Sequence, residues 1–363
     1  MAKRYIIAGG GTGGHIFPAI AIANALKKLD PLGHILFVGA KGKMEMEKVP
    51  QAGYEIKGLD IAGFNRSSLL KNIGLPLKLV KSFLQVRSII NEFKPHAVIG
   101  VGGYSSFPVL RYAQAKRIPT FIHESNSFAG KSNILLGKNA TKVFVAAEGM
   151  DRFFPKDKIM ISGNPVRPTI AKASNILKED ALAHFGLKTG KTTVLAVGGS
   201  LGARSINEAI AVHLDDFNKN DLQLIWQTGK TEAEKWKELG TVHSGIWVNE
   251  FITQMEYAYA AADIVVSRAG AMAVAELCVV QKPVLFVPYP FAAEDHQTAN
   301  AKQLADREAA LVVKDSETKE KLVEILIDLA NDHTRQEVLK KNIAKFAVLD
   351  ADQHIAAEII KSV

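Results

Sequence analysis

The chain has 363 residues, 47% of them hydrophobic and 23% charged, with a formal charge of +8 and one cysteine. That length exceeds what a single core serves, so two domains are expected, and the composition is that of a globular protein, neither disordered nor fibrous. A lone cysteine excludes an internal disulfide, no apolar run is long enough to span a bilayer, and the opening residues are too short for a signal peptide.

The first element is an apolar run, Tyr5 to Ala8, followed by Gly9-Gly10-Gly11-Thr12-Gly13-Gly14 and an apolar-periodic segment from Ile16 to Leu29. This reads as strand, glycine turn and helix, with the turn and helix start offering N–H groups to a phosphate-like anion. Gly9, Gly11 and Gly14 also fit the dinucleotide spacing. The second strand, Ile35 to Gly39, however, runs into Ala40-Lys41-Gly42-Lys43 with no acid to hold a ribose. Glu45 comes only inside the next helical pattern, so a nicotinamide cofactor is not expected. His15, in the first helical turn, is either a general base kept neutral by the helix start or a residue that shapes the loop.

From Leu69 to Phe93 the chain mixes Lys71, Lys78, Lys81 and Arg87 with many apolar residues, and Gly74 and Pro76 put a helix start there. One apolar stripe must face the core. The surplus suits either a core helix with a basic solvent face or a surface lying on an anionic membrane. The basic excess is concentrated between Lys57 and Lys94. No zinc-ligand cluster, RNA-binding aromatic signature or lysine-rich tail accompanies it, so nucleic acid is not an expected partner.

Further strands are predicted at Ala97 to Val101, Thr120 to Ile122 and Lys142 to Val145. The first leads into Gly102-Gly103-Tyr104-Ser105-Ser106. The second leads into His123-Glu124-Ser125-Asn126, where Glu124 is a second candidate base and Asn126 suits a sugar hydroxyl or amide. Gly163-Asn164-Pro165-Val166-Arg167-Pro168 reads as the linker, which places the domains at 1–163 and 164–346. Past it, Thr193 to Val197 runs into Gly198-Gly199-Ser200-Leu201-Gly202-Ala203-Arg204, an echo of the N-terminal device. Strands follow at Leu222 to Trp226, Ile264 to Val266 and Pro283 to Val287. These near-continuous apolar strands, alternating with helical patterns, predict the α/β class: two Rossmann-like doubly wound parallel sheets with glycine turns facing one cleft.

Gly270 opens a helix whose start can meet phosphate, and Glu276 lies nearly two turns inside, as a ribose-diol acceptor or a solvated helix residue. Arg167 either neutralises a diphosphate or is a surface charge, and Ser200 can add a hydroxyl donor. Cys278, among Leu277, Val279 and Val280, reads as a buried thiol. Asp350-Ala351-Asp352 has the D-x-D pattern of some metal-dependent transferases but lies outside the glycine turns. It reads as a solvated loop with a cap for a final helix at about Asp352 to Ser362, and no metal is expected.

Taken in order, Gly10 to Pro18, Gly102 to Tyr104, His123 to Asn126, Gly163 to Arg167, Gly198 to Arg204 and Arg268 to Glu276 resemble the MurG family. These bacterial enzymes make the lipid-linked disaccharide precursor of peptidoglycan. The resemblance covers nearly the whole chain. It implies a GT-B fold, with a C-terminal helix at about 347–363 packing back on the N-terminal domain. It also implies inverting, metal-independent and cofactor-free transfer of N-acetylglucosamine from UDP-N-acetylglucosamine to the 4-hydroxyl of undecaprenyl-linked muramoyl-pentapeptide. By the same resemblance the N-terminal domain takes acceptor and membrane and the C-terminal domain takes the UDP-sugar. Implied donor contacts are Thr12, Gly13, Gly14, Asn126, Arg167, Ser200, Ile252, Ala271, Met272, Ala273, Val274, Ala275, Glu276 and Gln297. His15 is the first candidate for the catalytic base and Glu124 the second. Ser125 and Leu201 depart from the family pattern, where glutamine is common. The implied location is the cytoplasmic face of the cell membrane, held peripherally through 69–93, with other cell-wall synthesis proteins as further partners. The alternatives are another GT-B enzyme such as a UDP-N-acetylglucosamine 2-epimerase, or a nucleotide-sugar binding module without turnover.

Overall fold

The structure is a computed structural model that describes residues 2–61, 75–199 and 201–363, with the side chains of Leu75, Pro76 and Thr241 outside the description. Two compact units divide the chain: Met1–Val166 with Asp350–Val363, and Arg167–Leu349. The change of unit falls inside the Gly163 to Pro168 segment.

The first unit holds seven parallel strands: β1 Arg4–Ala8, β2 His34–Ala40, β3 Glu55–Leu59, β4 Ala97–Gly100, β5 Thr120–Glu124, β6 Lys142–Val145 and β7 Ile159–Ile161. Their order is β3-β2-β1-β4-β5-β6-β7, so strand order reverses between β1 and β4. Side chains alternate between two apolar faces, which explains the unbroken apolar runs. Ile6 and Ala8 pack with Val86, Ile89 and Ile90 of the helix Leu75–Phe93 and with Val109 and Leu110 of the helix Ser106–Ala115. Tyr5 and Ile7 pack on the other face against Ile22 and Leu26 of the helix Gly13–Leu29, and against Ile355 and Ile359 of the last helix, Ala351–Lys361. Lys3 ties down that helix, its Nζ donating to the Ile360 and Val363 carbonyls at 3.1 and 2.7 Å.

The second unit repeats the plan with β8 Thr192–Val197, β9 Leu222–Gln227, β10 Ile246–Asn249, β11 Ile264–Ser267, β12 Val284–Phe286 and β13 Leu311–Val312. The parallel order is β10-β9-β8-β11-β12-β13, which reverses between β8 and β11. Val194, Ala196, Leu224, Trp226 and Val266 meet Ile206 and Ile210 on one side chain layer, with Leu322 and Leu326 completing it. Cys278 is buried as expected, and burial pushes its thiol up to about 12.

The strands that sequence patterning did not find are β3, β7, β10 and β13, the four sheet edges. In β3 Glu55 and Lys57 interrupt the apolar residues, and β7, β10 and β13 span only three, four and two residues, too few to show a period.

The reversal between β1 and β4 brings backbone into close contact. Gly103 has φ +87°, and a Cβ there would overlap the Gly10 carbonyl oxygen and lie 3.0 Å from its nitrogen. Gly42 has a similar φ of +71° but open space around it. Gly103→Ala is therefore expected to lower unfolding free energy by about 2 kcal/mol or more, and Gly42→Ala by about 1 kcal/mol. Denaturant melts of both variants check this, and equal losses would refute the packing argument.

Candidate functional site

Ligands of open parallel sheets bind beyond the carboxyl ends of strands where the order reverses. In the first unit that position belongs to the loops after β1 and β4. The Gly10 amide donates to the Gly102 carbonyl at 3.2 Å, locking the two loops together. The Gly11 amide donates to Glu45 Oε2 at 2.8 Å, while Glu45 Oε1 accepts from the Ala40 amide at 3.0 Å. Glu45 is buried, and Gly10 and Gly39 supply the space for its carboxylate. The bond from Gly11 to Glu45 commits one amide of the first glycine turn within the protein. Its Gly11 amide already serves an anion, and that anion is the protein's own. Sequence reasoning missed Glu45 as a site residue; the available signal was an acid set between Met44 and Met46 at a helix start.

Thr12 is the extended N-cap of the helix Gly13–Leu29, so Gly13 and Gly14 form its opening turn. His15 Nδ1 lies 3.1 Å from the Gly10 carbonyl and 3.3 Å from Thr12 Oγ1. A carbonyl can only accept, so this contact puts the proton of a neutral ring on Nδ1 and makes Nε2 the basic nitrogen. Gly102 leaves room for the ring, since a Cβ there would come within 2.8 Å of Nε2.

Glu124, at the end of β5, is differently placed. Its Oε1 accepts from the backbone and side-chain amides of Asn126 at 3.1 and 3.3 Å, and its Oε2 from Gly130 N and Asn133 Nδ2 at 3.1 and 2.8 Å. A carboxylate has about four acceptor sites, and this one is filled by its own loop. Glu124 therefore acts as a clasp that shapes the loop of Asn126. Its neighbour His123 is fully buried, and burial pushes its imidazole down to about 4.

In the second unit the corresponding loops follow β8 and β11. Ser200 lies outside the described residues. Gly202 and Gly229 meet backbone to backbone, each with positive φ, and neither can carry a Cβ. Gln227, another residue missed from sequence, bridges this loop to the next. Its Nε2 donates to the Gly199 carbonyl at 3.1 Å and its Oε1 accepts from the Ile252 amide at 3.0 Å. Ile252 thus has its amide committed within the protein.

After β11, Gly270 caps the helix Ala271–Val280, and Ala271, Met272, Ala273, Val274 and Ala275 are all half-buried at its start. Glu276 is buried and held by three donors. Arg167 Nε reaches Oε1 at 2.8 Å, Arg167 Nη2 reaches Oε2 at 3.1 Å, and the Tyr259 hydroxyl donates to Oε2 at 3.2 Å. Burial first, and the Glu276 charge second, hold the Tyr259 phenol well above its ordinary range, so it remains a donor. Burial opposes the Arg167 charge, but Glu276 outweighs it and holds the guanidinium above its usual value.

Arg268 pins the adjoining loop. Its Nη1 donates to the Val287 and Pro288 carbonyls at 3.0 and 3.3 Å, Nη2 donates to Ser205 Oγ at 3.2 Å, and Asp315 pairs with it. Its guanidinium lies 5.5 Å from the Tyr289 ring centroid. The Tyr289 amide in turn donates to Gln297 Oε1 at 2.9 Å. Asp350 stands at the N-cap position of the last helix without a side-chain hydrogen bond to its backbone, and its carboxylate lies 3.3 Å from His354 Nε2.

Comparison with known proteins fits this geometry. Residues 5–145 match the glycosyltransferase family 28 N-terminal domain and residues 193–355 the glycosyltransferase family 28 C-terminal domain. A UDP-N-acetylglucosamine–N-acetylmuramyl-(pentapeptide) pyrophosphoryl-undecaprenol N-acetylglucosamine transferase of Phocaeicola vulgatus is 50% identical, with 99% of this chain and 96% of that protein covered. The transferase of the same name from Parabacteroides distasonis is 49% identical over 99% and 98%. Among solved structures, Acinetobacter baumannii MurG aligns with a TM-score of 0.80 at 29% identity, over 99% of each chain. A UDP-N-acetylglucosamine 2-epimerase from Neisseria meningitidis aligns with a TM-score of 0.66 at 13% identity over 99% and 100%, a likeness of fold alone.

The buried His123 gives a pH test of the site's scaffold. Below pH 6.5 the unfolded chain takes up a proton that the folded imidazole, depressed to about 4, refuses. Stability should therefore fall as pH drops from about 6.5 to about 4, and His123→Gln should flatten that part of the profile. Chemical melts across this window check it, and an unchanged slope in the variant would show that another group titrates.

Proposed function

Since the chain belongs to the MurG-type N-acetylglucosaminyltransferases of glycosyltransferase family 28, with their GT-B fold of two parallel-sheet α/β domains, we propose its reaction as follows. It transfers N-acetylglucosamine from UDP-N-acetylglucosamine to undecaprenyl-diphospho-N-acetylmuramoyl-pentapeptide, a step of peptidoglycan synthesis. The observation that carries donor binding is the Arg167–Glu276 pair, its carboxylate nearly two turns inside the helix Ala271–Val280 that follows β11, where the strand order of the second sheet reverses. That helix start supplies amides and a positive dipole end for a diphosphate, and Glu276 supplies acceptors for a ribose diol.

The acceptor's 4-hydroxyl oxygen attacks the anomeric carbon from the face opposite the diphosphate, and the carbon–oxygen bond to UDP breaks with its electron pair leaving on the diphosphate. Configuration inverts. The hydroxyl proton passes to His15 Nε2, the nitrogen left basic when Nδ1 donates to the Gly10 carbonyl. Charge on the departing diphosphate is met by helix amides and Arg167, with no metal required. Thr12, Gly13 and Gly14 flank the base, Asn126 is presented by the Glu124 clasp, and Ile252, Gln297 and Ser200 complete the donor contacts.

The test supplies UDP-N-acetylglucosamine and a short-chain analogue of the lipid-linked acceptor, with and without chelator. Disaccharide formation should be insensitive to chelator. His15→Ala should lower kcat by at least about a hundredfold while donor affinity survives. Loss of activity on chelation would refute the metal-free route, near-normal kcat in the variant would move the base elsewhere, and donor conversion without acceptor would indicate an epimerase.

We also propose peripheral attachment at the cytoplasmic face of the membrane. No helix among the described residues is long and apolar enough to cross a membrane. The helix Leu75–Phe93 instead leaves Leu77, Val80 and Leu84 77%, 60% and 61% exposed, beside Lys78, Lys81 and Arg87. The part of the basic segment before Leu75, with Lys71, lies outside the described residues. Lys81 pairs with Asp60 at 2.9 Å, whereas Lys78 is exposed beside the apolar residues. Binding to anionic vesicles should weaken roughly fivefold in Lys78→Gln and fall with added salt. Equal binding to neutral vesicles at every salt concentration would refute the electrostatic part.

A further inference from the structure

Glu276 is a buried carboxylate of the second unit that accepts from three donors. A two-pronged guanidinium covers the carboxylate end-on, Nε on Oε1 at 2.8 Å and Nη2 on Oε2 at 3.1 Å. A vicinal diol would address the same pair of oxygens in the same two-pronged manner. One carboxylate end cannot serve both at once. The Tyr259 hydroxyl approaches Oε2 separately, at 3.2 Å, from the helix Met255–Ala261. It is fully enclosed and has no route to solvent, so it is out of reach of the ligand.

We propose that Tyr259 is a positioning residue of the donor site, anchoring the Glu276 carboxylate while its two end-on donors change from the Arg167 guanidinium to the ribose diol. This rests on the reading of Glu276 as the ribose acceptor. The exchange conserves hydrogen bonds: three donors before, two from Arg167 and one from Tyr259, and three after, two from the ribose and one from Tyr259. It also releases Arg167 for the diphosphate only when a ribose has arrived. Without a fixed third donor, the buried carboxylate would be free to turn as the guanidinium leaves, and the diol would meet a misaligned acceptor. Tyr259 therefore contributes to ribose recognition without touching the ribose.

The experiment measures binding of UDP and of 2′,3′-dideoxy-UDP to the wild type, Tyr259→Phe and Glu276→Gln by titration calorimetry, with thermal melts as a folding control. Tyr259→Phe keeps the ring and removes only the hydroxyl. It should weaken UDP roughly tenfold and leave dideoxy-UDP unchanged. Equal weakening of both ligands, or weakening of neither, overturns the proposal. Glu276→Gln reports on the premise separately: it should weaken UDP and leave dideoxy-UDP unchanged, and if it weakens both equally or neither, the ribose assignment is wrong and the proposal falls with it. A second measurement does not depend on Tyr259→Phe folding. Arg167→Ala should bind UDP more weakly but uridine at least as tightly as the wild type, because uridine no longer has to displace a guanidinium that gains no phosphate in return. Weaker uridine binding in that variant overturns the exchange.

Discussion

Close approach of backbone between loops that leave neighbouring parallel strands is the constraint on which the rest of this molecule depends. Gly10 lies against Gly103 in one unit and Gly202 against Gly229 in the other, at distances no side chain tolerates. The contact is possible because these turns take glycine-only geometry, and it is needed because two loops must leave adjacent parallel strands side by side. Everything that follows in the chain inherits its direction from there. The helix bearing His15 starts from the first pair, and the loop bridged to Ile252 by Gln227 starts from the second.

Three buried carboxylates then set what those loops can do, each in a different way. Glu45 supplies an internal anion to the first glycine loop, so that loop shapes His15 more than it cradles phosphate. Glu124 spends its acceptor sites on the turn from Asn126 to Asn133 and gives that turn one conformation. Glu276 is paired with the Arg167 guanidinium and takes a third hydrogen bond from the Tyr259 hydroxyl.

Much of the architecture was legible from residues alone because burial on both faces writes itself into sequence. Central strands such as β1, β4 and β8 carry apolar side chains at every position, and the glycine turns after them are unmistakable. The edge strands β3 and β13 were not legible, since a short strand with a solvated side alternates too weakly to stand out. Glu276 and Arg167 could be named as donor-site candidates, yet their mutual pairing spans more than a hundred residues of chain and left no local trace. Tyr259, Gln227 and Arg268 were missed for the same reason: each acts through a partner brought near by packing.

The order of residues thus determined the fold class, the glycine turns and the chemical inventory, because these follow from local conformational freedom and from the period of apolar side chains. Tertiary structure alone decided which of those groups are spent and which are available. It assigned the Gly11 amide to Glu45, filled the acceptor sites of Glu124, and set the basic nitrogen of His15 through the Gly10 carbonyl. Hydrogen-bond commitment is a property of neighbours in space, and no pattern along the chain encodes it.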